Sequence, residues 1–368
     1  MVDKKKISYW ERRNINREEY LQRGIDPVQS KIAKAYLQAQ KYLIDEVNKL
    51  FKRARLKTDM TEEELKKALN VAVTPNEILE YQRLAKQIET SEIAEQAKKQ
   101  LNALAYKHRI TRLEDLRAKT HLVAKQIADV EYQQQTNFYI DAIHDSYREA
   151  VAEDVIRKIE ARGVEVETWN KPRNKVTIEM WNQADKHEFK ELSTQATKNI
   201  LESHWKGTNY SRRIWKDTDK LAQQLEELFT VEAMTGMSDQ EMARAIAKEF
   251  QTSIGVANRL IRTEANYMAN QGRLKGWIDR GVEKYMLVAV LDFRTSKKCQ
   301  GWDKKVHNVA DAVVGENFPP GHPWCRTIAI AYHGERTIKG NRTARDPISG
   351  ETFKLPRSAT YDGWMNKL

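Results

Sequence analysis

The sequence contains little cysteine, proline and glycine for its length. Its 368 residues include 2 cysteines, 8 prolines and 15 glycines. Two cysteines exclude a small disulfide-stapled scaffold, in which several cross-links compensate for a small hydrophobic core. Scarce helix breakers, together with a charged fraction of 31%, favour a mainly helical chain with long solvated helices.

Long apolar runs are missing as well. None approaches the ~18 consecutive apolar residues that a membrane-crossing helix requires, so we expect no membrane span. The first residues, Met1–Ile7, are charged and lack the apolar core of a secretory signal. We therefore expect the protein to be made and folded in a cytoplasm.

Acidic residues are outnumbered by basic ones. The chain has 63 lysines and arginines against 52 aspartates and glutamates, which gives a formal net charge of +11 at pH 7. Each cation that neutralises a phosphate releases counterions, so this excess favours a polyanionic partner such as double-stranded DNA, bound nonspecifically. The alternative is a solvated basic surface without such a partner.

Helical periodicity is abundant. Apolar residues recur at three- and four-residue steps, and residues 115–160 contain no glycine or proline. This longest helix is interpreted as an arm of an antiparallel bundle or as a rod that reaches along a DNA channel or a portal. Gly163–Pro172 is expected to break the helix, and the loop Lys171–Thr177 is the predicted domain joint. We expect a mainly α fold with a long-helix N-terminal region, a helical middle region, a small α+β module and an extended tail, at residues 1–165, 175–255, 256–335 and 336–368.

Local signals predict where several elements begin and end. Thr61 and Ser238 each stand three residues before a glutamate, the capping-box pattern that opens a helix. Ser253 is also interpreted as an N-cap, for a helix that ends near Gly281. Short apolar runs predict three strands, and apolar residues near the chain end predict an anchor for the tail; these are Tyr285–Leu291, Lys305–His307 and Thr327–Tyr332, and Tyr361, Trp364 and Leu368.

Both cysteines lie close to two histidines near the end of the α+β module. Cys299, His307, His322 and Cys325 supply four nitrogen and sulfur donors, the number that a tetrahedral structural zinc requires. Asp292 or Asp303 is an alternative fourth ligand. Two other interpretations stay open: reduced thiols packed together with His322 hydrogen-bonded, and a Cys299–Cys325 disulfide formed after the protein leaves the cytoplasm.

The same residues permit a catalytic interpretation. His322 close to Cys325 resembles a base beside a nucleophile, and a zinc hydrolase could use Glu316 as its base. The sequence shows no third orienting group and no oxyanion site. We therefore expect the protein not to be an enzyme, with a zinc- or Cys/His-dependent hydrolase as the alternative.

Arginines flank the cysteine–histidine segment. Arg294 and Arg326 are able to bind a phosphate, since a guanidinium offers paired donors. The preferred interpretation is a buried arginine–carboxylate pair that joins strand to helix, with Asp292 or Glu264 as the carboxylate.

These residues also carry a family resemblance, over about 75 residues at roughly 260–335. The segment resembles the phage Mu F-like family of minor head proteins from tailed bacteriophages. The family pattern favours Cys299, His322 and Cys325 as the zinc ligands. The other residues that carry the resemblance are expected to be structural: Arg262, Glu264, Asp292, Arg294, Thr295, Pro319, Pro320 and Arg326.

The resemblance implies a function in head assembly. Such a protein enters the head at low copy, associates with the portal, capsid or scaffold proteins, and lies in the virion, in the head interior or at the portal vertex. It also implies contact with packaged DNA and synthesis in the host cytoplasm. A nonspecific DNA-binding protein is the remaining alternative.

Overall fold

A computed structural model describes residues 17–105, 110–161, 191–338 and 340–367. The predicted helix break at Gly163–Pro172, the predicted joint at Lys171–Thr177 and the predicted anchor residue Leu368 lie outside this part of the chain. Helices dominate, as the composition predicted. The helices are α1 Arg17–Ala54, α2 Glu62–Leu69, α3 Pro75–Lys86, α4 Ser91–Ala105, α5 Arg112–Ala161, α6 Thr194–Glu202, α7 Tyr210–Leu228, α8 Val231–Met234, α9 Asp239–Arg280, α10 Lys297–Trp302, α11 Glu335–Ile338 and α12 Tyr361–Met365.

The chain forms two compact units, each built from separate stretches of sequence. The helical unit contains residues 27–137 and 208–260, and the mixed unit contains residues 1–26, 138–207 and 261–368. The division into four consecutive segments stays a prediction. Among the described residues, no helix is long and apolar enough to cross a membrane.

The helical unit is stabilised by apolar side chains at helical spacing. Ile32, Tyr36, Leu43 and Val47 follow one face of α1, and each is at most 1% exposed. Both predicted capping boxes are confirmed: the N-cap hydroxyl accepts from the backbone N–H three residues on, and the glutamate carboxylate accepts from the N-cap backbone.

Three antiparallel strands form the sheet of the mixed unit, in the order β2-β1-β3. They are β1 Lys284–Val288, β2 Val306–Asn308 and β3 Ile328–Ala331. All three overlap the predicted runs, with β3 inside its run and β1 and β2 each extending one residue beyond theirs. The sheet packs on aromatic rings, because Tyr285 stacks on Trp277 with ring centroids 6.0 Å apart and meets Phe318 edge-on at 5.2 Å.

Helix α9 is joined to β3 by two buried asparagines. The Asn266 amide donates to the Thr327 carbonyl at 3.0 Å, and Asn270 accepts from the Ala329 N–H at 3.1 Å. These bonds satisfy backbone groups that no neighbouring strand reaches at this edge. The arrangement fixes the position of β3, which directly follows the cysteine–histidine loop.

Two glycines bring α9 close to α5 inside the mixed unit. A Cβ on Gly272 would lie 2.4 Å from the carbonyl oxygen of Ile143, and one on Gly276 would lie 2.7 Å from the Ala150 Cβ. Any larger residue would therefore force the two helices apart.

One predicted helix boundary is wrong. Helix α9 starts at Asp239 and continues without a break through Ser253. Ser253 is only 8% exposed, on a packed side of the helix, so it does not act as a cap. The predicted end near Gly281 is confirmed, since Gly281 takes a φ of 66° directly after Arg280.

The tail forms more regular structure than its polar sequence predicted. Strands β4 Asn341–Arg345 and β5 Thr352–Pro356 pair as an antiparallel hairpin, and α12 follows. Tyr361 and Trp364 are 4% and 0% exposed, as expected for an anchor. The hairpin is held by Arg342, which is buried and donates to the Asp303 carboxylate at 2.8 Å.

Candidate metal centre

The first part of the centre is the start of α10. Ser296 is the N-cap, and its Oγ accepts from the backbone N–H of Cys299 at 3.3 Å. This cap places the Cys299 thiol on the inner side of the first helical turn, where it is 2% exposed.

The second part is the loop that returns to α10 after β2. Pro319, Pro320 and Gly321 are buried, and a Cβ on Gly321 would lie 2.7 Å from the ring of Trp302. The loop therefore lies directly on the end of α10. This contact brings His322 and Cys325 to the Cys299 thiol.

The His322 ring is oriented by its own loop. Its Nδ1 lies 2.6 Å from the Pro323 carbonyl oxygen, which can only accept, so Nδ1 carries the proton. The Nε2 lone pair then faces the centre, where Ser296 Oγ and Cys299 Sγ lie at 2.8 and 3.0 Å. A backbone carbonyl that fixes the tautomer in this way is typical of histidine ligands to metals.

The two cysteines are free thiols with their sulfur atoms 3.7 Å apart. The Cys325 thiol donates to the Cys299 sulfur, and this hydrogen bond lowers the pKa of Cys299 well below its ordinary value, with further help from Ser296. The same contact raises the pKa of Cys325. Of the two thiols, Cys299 is therefore the one that ionises more readily.

The three donors match a tetrahedral zinc in chemistry and nearly in spacing. Their ligand atoms all lie within 4.8 Å of one another. With zinc–sulfur and zinc–nitrogen bonds of ~2.3 and ~2.0 Å, two sulfurs are ~3.8 Å apart and sulfur and nitrogen ~3.5 Å. The thiol pair at 3.7 Å meets this geometry, and the imidazole at 3.0 Å from Cys299 would have to withdraw by about half an ångström.

The other predicted ligands lie elsewhere. His307 stands on β2 with its ring against Tyr285, 5.6 Å between centroids. The Asp303 carboxylate accepts from Arg342 and from the Ala289 N–H. In the described part of the chain the centre therefore has three protein donors, and Cys299 and His322 also line a small pocket with Arg294 and Trp324.

Asp292, the other alternative ligand, is held by an arginine. Arg326 donates to both of its carboxylate oxygens, one of them at 2.6 Å, and Thr295 Oγ1 lies 3.2 Å away. Burial works against ionisation, but the bonds from Arg326 keep the pKa of Asp292 below its ordinary value. The pair joins the segment after β1 to the loop before β3.

Three other predicted residues, Arg294, Glu264 and Arg262, lie outside the group of three metal donors. Arg294 is 77% exposed, and its guanidinium approaches Asp292 only to 3.7 Å. Glu264 is 1% exposed and accepts from the Trp205 indole N–H at 3.2 Å. Arg262 lies on α9 with its guanidinium 5.7 Å from the centre of the Trp324 ring.

Sequence reasoning missed Ser296, Thr263 and Trp324. Ser296 carries a detectable signal, because an N-cap serine three residues before a cysteine places its hydroxyl beside that cysteine. Thr263 accepts from the backbone N–H of Trp324 at 3.0 Å, and only the folded loop brings the two together.

Residues 223–330 match a family model described as Phage Mu protein F like protein. This segment is Mu F-like. The matched segment includes β1, α10, β2 and all three donors of the metal centre, and the rest of the chain lies outside it. The match points to a protein of phage head morphogenesis, with capsid-related partners and a place in the virion. No match was found among curated proteins or among solved structures.

Proposed function

We propose that this Mu F-like protein is a structural minor head protein of a tailed phage, incorporated at low copy and associated with the portal. The family match over residues 223–330 carries the proposal. The centre supports a structural role. Both thiols are at most 3% exposed, the His322 ring is held by the Pro323 carbonyl, and the Cys299 backbone N–H is bound by the Ser296 cap.

Co-expression tests this function. The full chain is produced with the portal, capsid and scaffold proteins of its phage, and the sedimented particles are analysed for it. We expect the chain in particles that contain portal protein and a strong loss when portal protein is omitted. Particles of normal composition that never contain the chain would overturn the proposal.

The helical unit is the proposed surface for packaged DNA. Lysines on α1 are exposed to solvent at positions 31, 34, 41 and 49. Phosphate contacts release counterions, so the logarithm of the binding constant for a duplex should fall linearly with the logarithm of the salt concentration. Affinity that is independent of salt would contradict this contact.

We assign a structural zinc ion to Cys299, His322 and Cys325, and no reaction. Metal analysis should find about one zinc per chain, which Cys299→Ser or His322→Ala removes. His307→Ala is the matched control and should leave the metal content unchanged. If the centre is instead that of a hydrolase, His322→Ala would abolish turnover without a loss of stability.

A further inference from the structure

Trp324 is held in solvent by an uncommon backbone conformation. The residue has a φ of 63° and is 45% exposed. A bulky side chain in the left-handed region is unfavourable and persists only where the surroundings fix it. Here the Thr263 hydroxyl holds the Trp324 N–H at 3.0 Å, so α9 maintains an indole that contributes little to the core.

A cation lies beside this indole. The Arg262 guanidinium is 5.7 Å from the centre of the Trp324 ring. A flat aromatic face beside a guanidinium is a combination on which nucleic-acid bases stack.

The pocket next to Trp324 carries a surplus of positive charge. It is lined by Arg294, Arg326, Ser296 and His322. The Asp292 carboxylate lies between the two arginines. It accepts two hydrogen bonds from Arg326. Within the described residues the Arg294 guanidinium has only its 3.7 Å approach to Asp292, so its donors remain available to a phosphate.

We propose that Trp324, Arg262 and Arg294 form a binding surface for a nucleic-acid strand with an unpaired base. A phosphate binds at the mouth of the pocket against the exposed Arg294 guanidinium, and the neighbouring base stacks on Trp324. A fully paired duplex offers its phosphates but not a base face, so the surface selects single strands and unpaired ends. The inference rests on the proposed contact with DNA for its ligand class and adds a site to it.

Fluorescence anisotropy with three labelled DNA probes tests the site: a single strand, a blunt duplex, and the same duplex with a single-stranded overhang. Trp324→Ala should weaken binding of the single strand and the overhang at least about fivefold, the loss expected for one stacked base. Arg294→Gln should weaken the same probes and lower the salt slope by about 0.7. Lys354→Gln, an exposed lysine on β5 in the same unit, is the control.

The outcomes separate the two proposals. If the parent binds DNA and both variants bind every probe as the parent does, the site is wrong and the contact through the helical unit stands. If the variants lose affinity for the blunt duplex as much as for the overhang, the surface binds phosphates by charge alone and base stacking is refuted. If the parent binds no probe, the DNA contact itself fails, whatever the particle experiment shows.

Discussion

Replacing Gly272 by alanine tests the packing that supports the Mu F-like module. In an exposed helix interior, glycine to alanine stabilises by up to about 1 kcal/mol, because the unfolded chain loses freedom. At Gly272 the new Cβ would lie 2.4 Å from the Ile143 carbonyl oxygen and 3.1 Å from its Cα. These are backbone atoms of α5, so no side-chain rotation relieves the clash.

The size of the effect follows from these distances. An ordinary van der Waals contact requires the helices to separate by about an ångström, and overpacking of this kind costs about 3 kcal/mol at the upper end of its range. Subtracting the gain in helix propensity leaves a net loss of about 2 kcal/mol. For a unit of this size that loss lowers the melting temperature by roughly 4–8 °C.

Scanning calorimetry of the full chain measures this change. Two variants serve as controls, Gly255→Ala on the same helix and Gly301→Ala in the mixed unit. A Cβ added at either position would have no neighbouring atom within 4 Å. Both controls should melt at or slightly above the parent temperature. If Gly272→Ala melts with them, the close approach of α9 to α5 is not a feature of the protein.

Three further predictions concern buried polar groups. Burial raises the pKa of Glu131 to about 7, so stability should fall by about 3 kcal/mol as pH rises from ~4.5 to ~7; Glu131→Gln should remove that slope, and an unchanged slope would contradict the assignment. Asn270→Ala leaves the Ala329 N–H without its acceptor and should cost about 1–3 kcal/mol in urea unfolding, whereas no loss would show that β3 is held otherwise. Arg342→Leu leaves the Asp303 carboxylate buried without its guanidinium and should free the tail hairpin for proteolysis, so a tail that stays resistant would refute its role as the attachment.

Local order was predictable where one signal governs the backbone. The capping boxes at Thr61 and Ser238 and the three strands of the sheet were all found as expected. Each depends on neighbours in sequence, a hydroxyl and a carboxylate three residues apart or a short apolar run. Ser253 misled for the same reason, since its local N-cap character was overruled by the packing of the buried face of α9.

The candidate centre shows where sequence stops being informative. Cys299, His322 and Cys325 could be grouped by residue type and by resemblance, and the structure brings their donors together. His307 has the same chemistry, but its strand register pairs it with Tyr285. The partners of Asp292 and Asp303 depend on arginines 34 and 39 residues away, which only the fold brings near.

In the proposed function, the thiol–imidazole centre holds the Mu F-like module in shape for head assembly. To check this role, the melting temperature and the amount of chain in co-expressed particles are measured for His322→Ala and for the control His307→Ala. We expect His322→Ala to melt earlier and to be depleted from particles, with His307→Ala like the parent in both. A His322→Ala chain that melts with the parent and enters particles normally would contradict the claim.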